Sequence, residues 1–502
     1  MGEAAGRTGA GGIPVRGWRY RRAEECRMTW AEIQQFAANA TIALAFFCFI
    51  VVLLRNMISL AQLLIAAWVF ATRIKPSKGA RELWQRYADL ALPISVIAPA
   101  FNEELSIVDS VKALLALEYP DHEVIVVNDG SKDDTLGQLL RAFDMVPCQR
   151  HQVAPLQKTE IRQTYISRRY PNLLVVDKEN GRKADAANAG LGFARTPLVC
   201  VIDADSIIEP DGLLRAAEPF MHDNGRLVAV GGAIRVANGC TIKGGSLQEI
   251  GVAKGLVPRF QVVEYLRAFL TARVANAQTN TLMLISGAFG LFHRATLVEI
   301  GGYRHDTVGE DLELVVNLHR HLREQKRPYR LAFIPDIVCW TEAPAALKGL
   351  DNQRARWQQG SLETLLRHRK MILNPRYGRI GMLAMPHIVL EDIVGPPAEL
   401  IGYLVLPAAA LMGLLDPMMA VAFFFVSIVF GSGLTVGTLA LEEQQLRRTP
   451  SAKDLMRLGS AALLENFGYR QVNLWYRIQG IRRFLRKDAT WAAVPRVGFD
   501  AG

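Results

Sequence analysis

Two apolar stretches bracket a chain whose middle alternates short Val/Ile runs with helical periodicity, and that layout limits the folds open to it. Residues 41–70 and 388–441 are far more apolar than the segment between them. A helix needs about 20 residues to cross the hydrocarbon core. The runs 388–415 and 418–441 each meet that length, with Asp416-Pro417 as the turn between them. Residues 41–54 and 57–70 are too short singly, and Arg55-Asn56 parts them. They read as one long tilted helix, which more than spans, or as a hairpin that barely enters. The single helix is favoured, although it sets Arg16, Arg19, Arg21, Arg22 and Arg27 on the outer side, against the positive-inside tendency. The run starts too late, and lacks the small-residue exit, for a cleaved signal peptide. Pro396-Pro397 and Glu399 fall inside an expected span. An intramembrane carboxylate is a functional candidate, and a helix end at the interface is the plainer account. Residues 455–476 carry Glu465, Asn466 and Arg470 and read as an amphipathic or re-entrant helix.

A chain of 502 residues divides naturally into two or three units. The expected organisation is a basic, flexible N-terminus (1–36), an N-terminal membrane segment (37–72) and a catalytic domain (92–346). Interfacial helices (347–386), two transmembrane helices (387–441) and an interfacial or re-entrant helix with a basic tail (455–502) follow. Six scattered cysteines without a C-x-x-C pair exclude a zinc site or disulfide scaffold. The net charge of +10 comes with no aromatic-interleaved nucleic-acid motif. Anionic lipid and a nucleotide diphosphate are the partners it suits, not nucleic acid.

In 92–346, residues 94–98, 123–127, 173–176 and 198–202 are strand-like, and 105–117, 134–143 and 184–193 are helical. That alternation predicts an α/β layer around a largely parallel sheet. Ligands of such sheets sit at the carboxyl ends of the strands, where the polar motifs fall. Asn102-Glu103 follows the first strand, and Asn128-Asp129-Gly130-Ser131 closes the second. Asp129 can accept from a uracil or ribose edge, or simply shape an Asp-Gly turn. Asp203-x-Asp205 ends a later strand. Two carboxylates this close call for a cation, and hard oxygens suit Mg²⁺ or Mn²⁺; a solvated turn is the alternative. Lys183 opens a helix in an Asn-Gly-Arg-Lys-Ala-Asp run, an anion site or a surface turn. Glu310-Asp311 offers a general base within reach of an acceptor hydroxyl, or an N-cap for the helix that follows. Gln353, Arg356 and Trp357 share a helix face: a platform for a diphosphate and a sugar ring, or an interfacial anchor.

Taken together, these residues closely resemble the membrane-integrated, processive members of glycosyltransferase family 2, the cellulose, hyaluronan, chitin and poly-N-acetylglucosamine synthases. The resemblance runs over about residues 94–499. It implies an α/β GT-A (Rossmann-like) catalytic domain flanked by transmembrane and interfacial helices. By resemblance, Asn102, Glu103 and Asp129 begin the nucleotide site, and Lys183 lies near the diphosphate. Asp203 and Asp205 form the metal-holding D-x-D pair, the second on the ion. Asp311, beside Glu310, is the base. Gln353, Arg354, Arg356 and Trp357 form the Q-x-x-R-W signature, and Ser286-Gly287-Ala288 stands where such enzymes meet the acceptor. Gly309 stands where the family more often has Thr, and Trp491 and Arg496 only loosely match its W-G-T-R segment. The resemblance implies an inner (plasma) membrane, multi-pass enzyme with a cytoplasmic catalytic domain. It would use a UDP-sugar, Mg²⁺ or Mn²⁺ and a glycan acceptor, and few clear spans suggest a homo-oligomer or an export partner. A non-processive enzyme acting on a lipid acceptor is the nearest alternative.

Overall fold

The structure, a computed structural model, describes residues 29–73, 80–204, 206–243, 246–446 and 451–487. The basic N-terminus, Asp205, Trp491 and Arg496 lie outside the described residues.

The strand-like runs become β1 (Ile94–Ala100), β2 (His122–Asp129), β3 (Met145–Cys148), β4 (Ile161–Ser167), β5 (Leu173–Lys178) and β6 (Leu198–Ile202). They are followed by β7 (Ile207–Ile208), β8 (Leu227–Val236), the hairpin β9 (Thr241–Lys243) and β10 (Ser246–Glu249), β11 (Phe289–His293) and β12 (Arg330–Thr341). Ten of them form one sheet in the order β3-β4-β5-β2-β1-β6-β11-β8-β12-β7. The expectation of a largely parallel sheet needs correcting: the sheet is mixed. β5, β2, β1 and β6 run parallel side by side, in a register that sets Val96 beside Val124 and Cys200. β3 and β4 join them antiparallel, and β11 runs antiparallel between β6 and β8. The departure begins after β6, where long connections that contain helices lead to β8, β11 and β12. Successive β1 residues feed different cores: Ile94, Val96 and Ala98 pack on one face and Ile97 on the other.

Helix α1 (Trp30–Thr72) is one unbroken rod of 43 residues, so both apolar runs belong to the same helix. Arg55 and Asn56 are polar anchors within it rather than a break: Arg55 meets Glu391 and Glu399, and Asn56 donates to the carbonyl of Val426. Later helices are α2 (Arg182–Phe193), α3 (Leu256–Leu266), α4 (Glu310–Glu324) and α5 (Leu347–Arg367). After them come α6 (Ile380–Leu411) and α7 (Pro417–Leu446). Among the described residues α1, α6 and α7 are long and apolar enough to cross a membrane. The single helix expected over 455–476 is instead two, α8 (Ala452–Leu464) and α9 (Tyr469–Arg486). Gly468, at φ +93°, turns the chain between them in the left-handed region that favours glycine. The helix carrying Gln353–Trp357 was expected at an interface. It packs between α4, α9 and the first half of α6, burying Arg354, Gln358 and Ser361.

Candidate active site

The loops after β1 and β2 are laced together at the strands' carboxyl ends. Asn102, at φ 56°, donates from its amide to Ser131 Oγ and accepts from the Lys132 amide. The Glu103 amide donates to Thr135 Oγ1. Asp129 is buried, and its Oδ1 accepts from Lys178 Nζ at 2.6 Å and from the Gly181 amide at 2.9 Å. Lys178, also buried, meets Asp185 at 2.9 Å. Asp129 therefore ties β2 to the start of α2 rather than presenting that oxygen to a ligand. Burial pushes the Asp185 carboxyl up, yet hydrogen bonds from Thr159 and Lys158 and the Lys178 charge hold it below its usual value.

Between Gly181 and Asp185 of this knot, Lys183 turns toward open space. Its Nζ lies 2.5 Å from Asp203 Oδ1 and 3.6 Å from Glu310 Oε1. Burial alone would pull the amine down, but the Asp203, Glu310 and Asp311 carboxylates outweigh it and push it up. Gly287, before β11, donates its amide to Asp311 Oδ2 at 3.3 Å. A Cβ there would sit 2.8 Å from Lys183 Nζ, so the lysine would have to shift its tip to make room for it. Asp311 is in the first turn of α4 and not its N-cap; that position is Gly309, which makes no side-chain cap. Burial pushes the Glu310 carboxyl above its usual value, Lys183 opposes, and the Asp311 charge adds to the rise. Gly309 also explains its own departure from the family pattern. A Cβ on it would lie 2.8 Å from Gly360 Cα, so α4 and α5 touch backbone to backbone.

On α5, Arg354 forks onto Glu264 of α3 at 2.7 and 2.8 Å, and Tyr469 donates to the same carboxylate. The guanidinium lies 4.4 Å from the centroid of Trp357 and braces that ring. Gln353 keeps a buried Oε1 with no hydrogen-bond partner.

These groups line one cavity of about 770 Å³. Lys183, Asp203, Ser286, Gly287, Glu310 and Asp311 form its catalytic-domain wall, and Gln353, Arg354, Arg356 and Trp357 its α5 wall. Asn102, Glu103 and Asp129 do not border it. The cavity continues among the apolar helices, where sequence reasoning had flagged Glu399 and Arg470 but not their partners. Arg55 pairs with Glu391 at 2.7 Å and Glu399 at 3.3 Å, Arg470 with Glu399 at 2.6 Å, and Arg477 with Asp392 at 2.7 Å. The available signal was charge inside apolar runs: Arg55 in the first, Glu391 and Asp392 in the second.

Among the described residues no three His, Cys, Asp or Glu side chains gather as a metal group. A divalent ion carried on a diphosphate takes most ligands from phosphate and water, and one or two protein carboxylates suffice. Asp203, facing the cavity beside Lys183, fits that donor chemistry.

Within this α/β layer, residues 95–301 match the family model for glycosyl transferase family 2. The chain is 31% identical over 277 residues to a poly-β-1,6-N-acetyl-D-glucosamine synthase of Staphylococcus aureus (strain COL), covering 55% of this chain and 56% of that protein. A Staphylococcus epidermidis enzyme of the same name is 30% identical over 275 residues, again covering 55% and 56%. The chain thus spans about half the length of the curated relatives it matches. Among solved structures, a mannosyltransferase of Pyrobaculum calidifontis with GDP-Man and Mn²⁺ superposes with TM-score 0.49 at 18% identity, covering 88% of this chain and 99% of that one. Glucosyl-3-phosphoglycerate synthase of Mycobacterium tuberculosis, with Mn²⁺ and UDP, gives 0.36 at 19% identity, covering 59% and 86%.

Proposed function

We propose that this chain is an inverting β-glycosyltransferase that moves a sugar from a UDP-sugar to the end of a growing polysaccharide. Its catalytic domain lies on the cytoplasmic face of the inner membrane, and the product passes outward among the apolar helices. The observation that carries this reading is the single cavity joining Asp311 and Lys183 to the charged lining of α1, α6 and α9. A transferase with a small soluble acceptor has no use for such a continuation.

Asp311, held by the Gly287 amide, takes the proton of an acceptor hydroxyl. The freed oxygen attacks the anomeric carbon from the face opposite the diphosphate. The bond from that carbon to phosphate oxygen breaks, and UDP leaves. Lys183 meets the diphosphate, and Arg356 and Gln353 face the same space. Mg²⁺ or Mn²⁺, held by Asp203 together with Asp205, would neutralise charge on the leaving group. Trp357, 43% exposed and braced by Arg354, offers its face to the sugar just added.

The names of the relatives make UDP-N-acetylglucosamine the first donor to try. Purified protein in nanodiscs, given that donor, UDP-glucose or UDP-glucuronate with Mg²⁺ or Mn²⁺, should release UDP and build a polymer that a linkage-specific glycosidase digests. A product of one sugar on a lipid would replace this reading with that of a lipid glycosyltransferase. No UDP release from any donor would end both.

A further inference from the structure

The cationic side chains around the cavity are nearly all matched to carboxylates. Lys183 meets Asp203, and Arg55, Arg267, Arg354, Arg470 and Arg477 meet glutamate or aspartate side chains. Arg273 is different. It lines the same cavity, its Nη1 is buried with no hydrogen-bond partner, and no carboxylate among the described residues pairs with it. Its guanidinium lies 3.7 Å from the centroid of Phe269, a buried ring that fixes its plane. It closes a π-helical segment, Arg267–Arg273, a widened turn of a kind that recurs at functional sites. Burial pulls it down to about 10, with the Asp311 carboxylate opposing. A guanidinium nitrogen buried with no hydrogen-bond acceptor costs stability, and it asks for an acceptor that arrives with the substrate.

Resting on the glycosyl-transfer reading above, we propose that Arg273 holds the acceptor sugar for the reaction, its guanidinium N–H groups donating to acceptor oxygens while Asp311 takes the attacking hydroxyl's proton. The wall it comes from favours acceptor over donor. Lys183 and Asp203 mark the diphosphate end, at the carboxyl ends of the parallel strands. Arg273 comes from a helical segment whose neighbours Leu270 and Val274 pack on Ala66, Val69 and Phe70 of α1. A glycan lodged among the apolar helices presents its end from there. The guanidinium can only donate, and sugar hydroxyl and ring oxygens accept.

The test uses the full chain in nanodiscs with UDP-N-acetylglucosamine, or whichever UDP-sugar the wild type turns over, and a short oligosaccharide of the same sugar as added acceptor. Arg273→Met should lower transfer to the oligosaccharide by about tenfold to a hundredfold relative to UDP release from donor alone, the loss of one or two charge-assisted hydrogen bonds. The KM for the oligosaccharide should rise, and Arg273→Gln, which keeps a donor, should recover part of the loss. The thermal midpoint of Arg273→Met should hold or rise, because a buried nitrogen without a hydrogen-bond partner has been removed. Unchanged transfer would overturn the assignment. So would a rise in donor KM with an equal fall in UDP release, which would put Arg273 on the diphosphate. A midpoint falling in step with activity would make it a structural residue. Should the wild type release no UDP from any donor, the glycosyl-transfer reading falls and Arg273 with it.

Discussion

The two ends of the cavity are built by different means. At the catalytic-domain end the wall is set by backbone turns and small residues, Gly287 under Lys183 and Gly309 against Gly360, with the Asp129–Lys178–Asp185 knot tying β2, β5 and α2 behind it. At the membrane end the walls are long side chains paired across helices, Arg55 with Glu391 and Glu399, Arg470 with Glu399, Arg477 with Asp392. The first construction fixes atoms to within tenths of an ångström, which bond-making chemistry needs. The second offers donors and acceptors in alternation along a path, which suits a polyhydroxyl chain that must bind and then move on.

Breaking the first end should stop chemistry outright. Asp311→Asn should cut transfer about 10²- to 10⁴-fold while donor affinity, read by calorimetry, stays near that of the wild type. Turnover that persists in that variant would remove Asp311 as base. Breaking the second end should separate the two functions. Arg55→Met leaves Glu391 without its fork and should cost about 3–5 kcal/mol of stability, seen as a lower thermal midpoint. Its polymer should be shorter while UDP release per folded molecule changes little; full-length polymer would sever the link between this cluster and the glycan path. The joint between the ends is sharpened by Gly360→Ala. The added Cβ falls 2.6 Å from Gly309 Cα, so α4 must shift, with about 1–3 kcal/mol of overpacking and a tenfold or greater drop in kcat. A silent substitution would mean the two helices do not hold each other.

The smallest effect concerns pH. Burial lowers His319 of α4 from 6.5 to about 4, the Leu282 carbonyl opposing and Arg323 adding. Below about 6.5 the unfolded chain takes up a proton that the folded one refuses until about 4. Stability from this group is therefore present at neutral pH and is lost as pH falls through that window. Circular-dichroism melts at stepped pH should show the decline, and His319→Gln should flatten it.

Legibility follows the same division. Asp203, Glu310-Asp311 and Gln353–Trp357 could be read because each motif is local, and strands 94–98, 123–127 and 198–202 because Val and Ile mark buried parallel pairs. The placing of β8, β11 and β12 was not legible, since β8 lies antiparallel to β11 and parallel to β12 across long connections whose length does not reveal the pairing. The pairing of Arg354 with Glu264 was not legible, because the two stand 90 residues apart. Arg55 and Asn56 were read as a gap because Glu391 lies 336 residues further on. Partners that distant leave no trace in spacing.

The length of α1 has a mechanical consequence. Forty-three residues make a rod of about 65 Å, roughly twice the hydrocarbon thickness of a bilayer. Its last turns dock on Leu270 and Val274, beside Arg273, while its middle holds Glu391 through Arg55. A bilayer that thins or thickens tilts such a rod, and both grips tilt with it. With α1 across a bilayer, lipid thickness would set the spacing between the Arg273 contact and the Arg55–Glu391 pair, with no change to the protein.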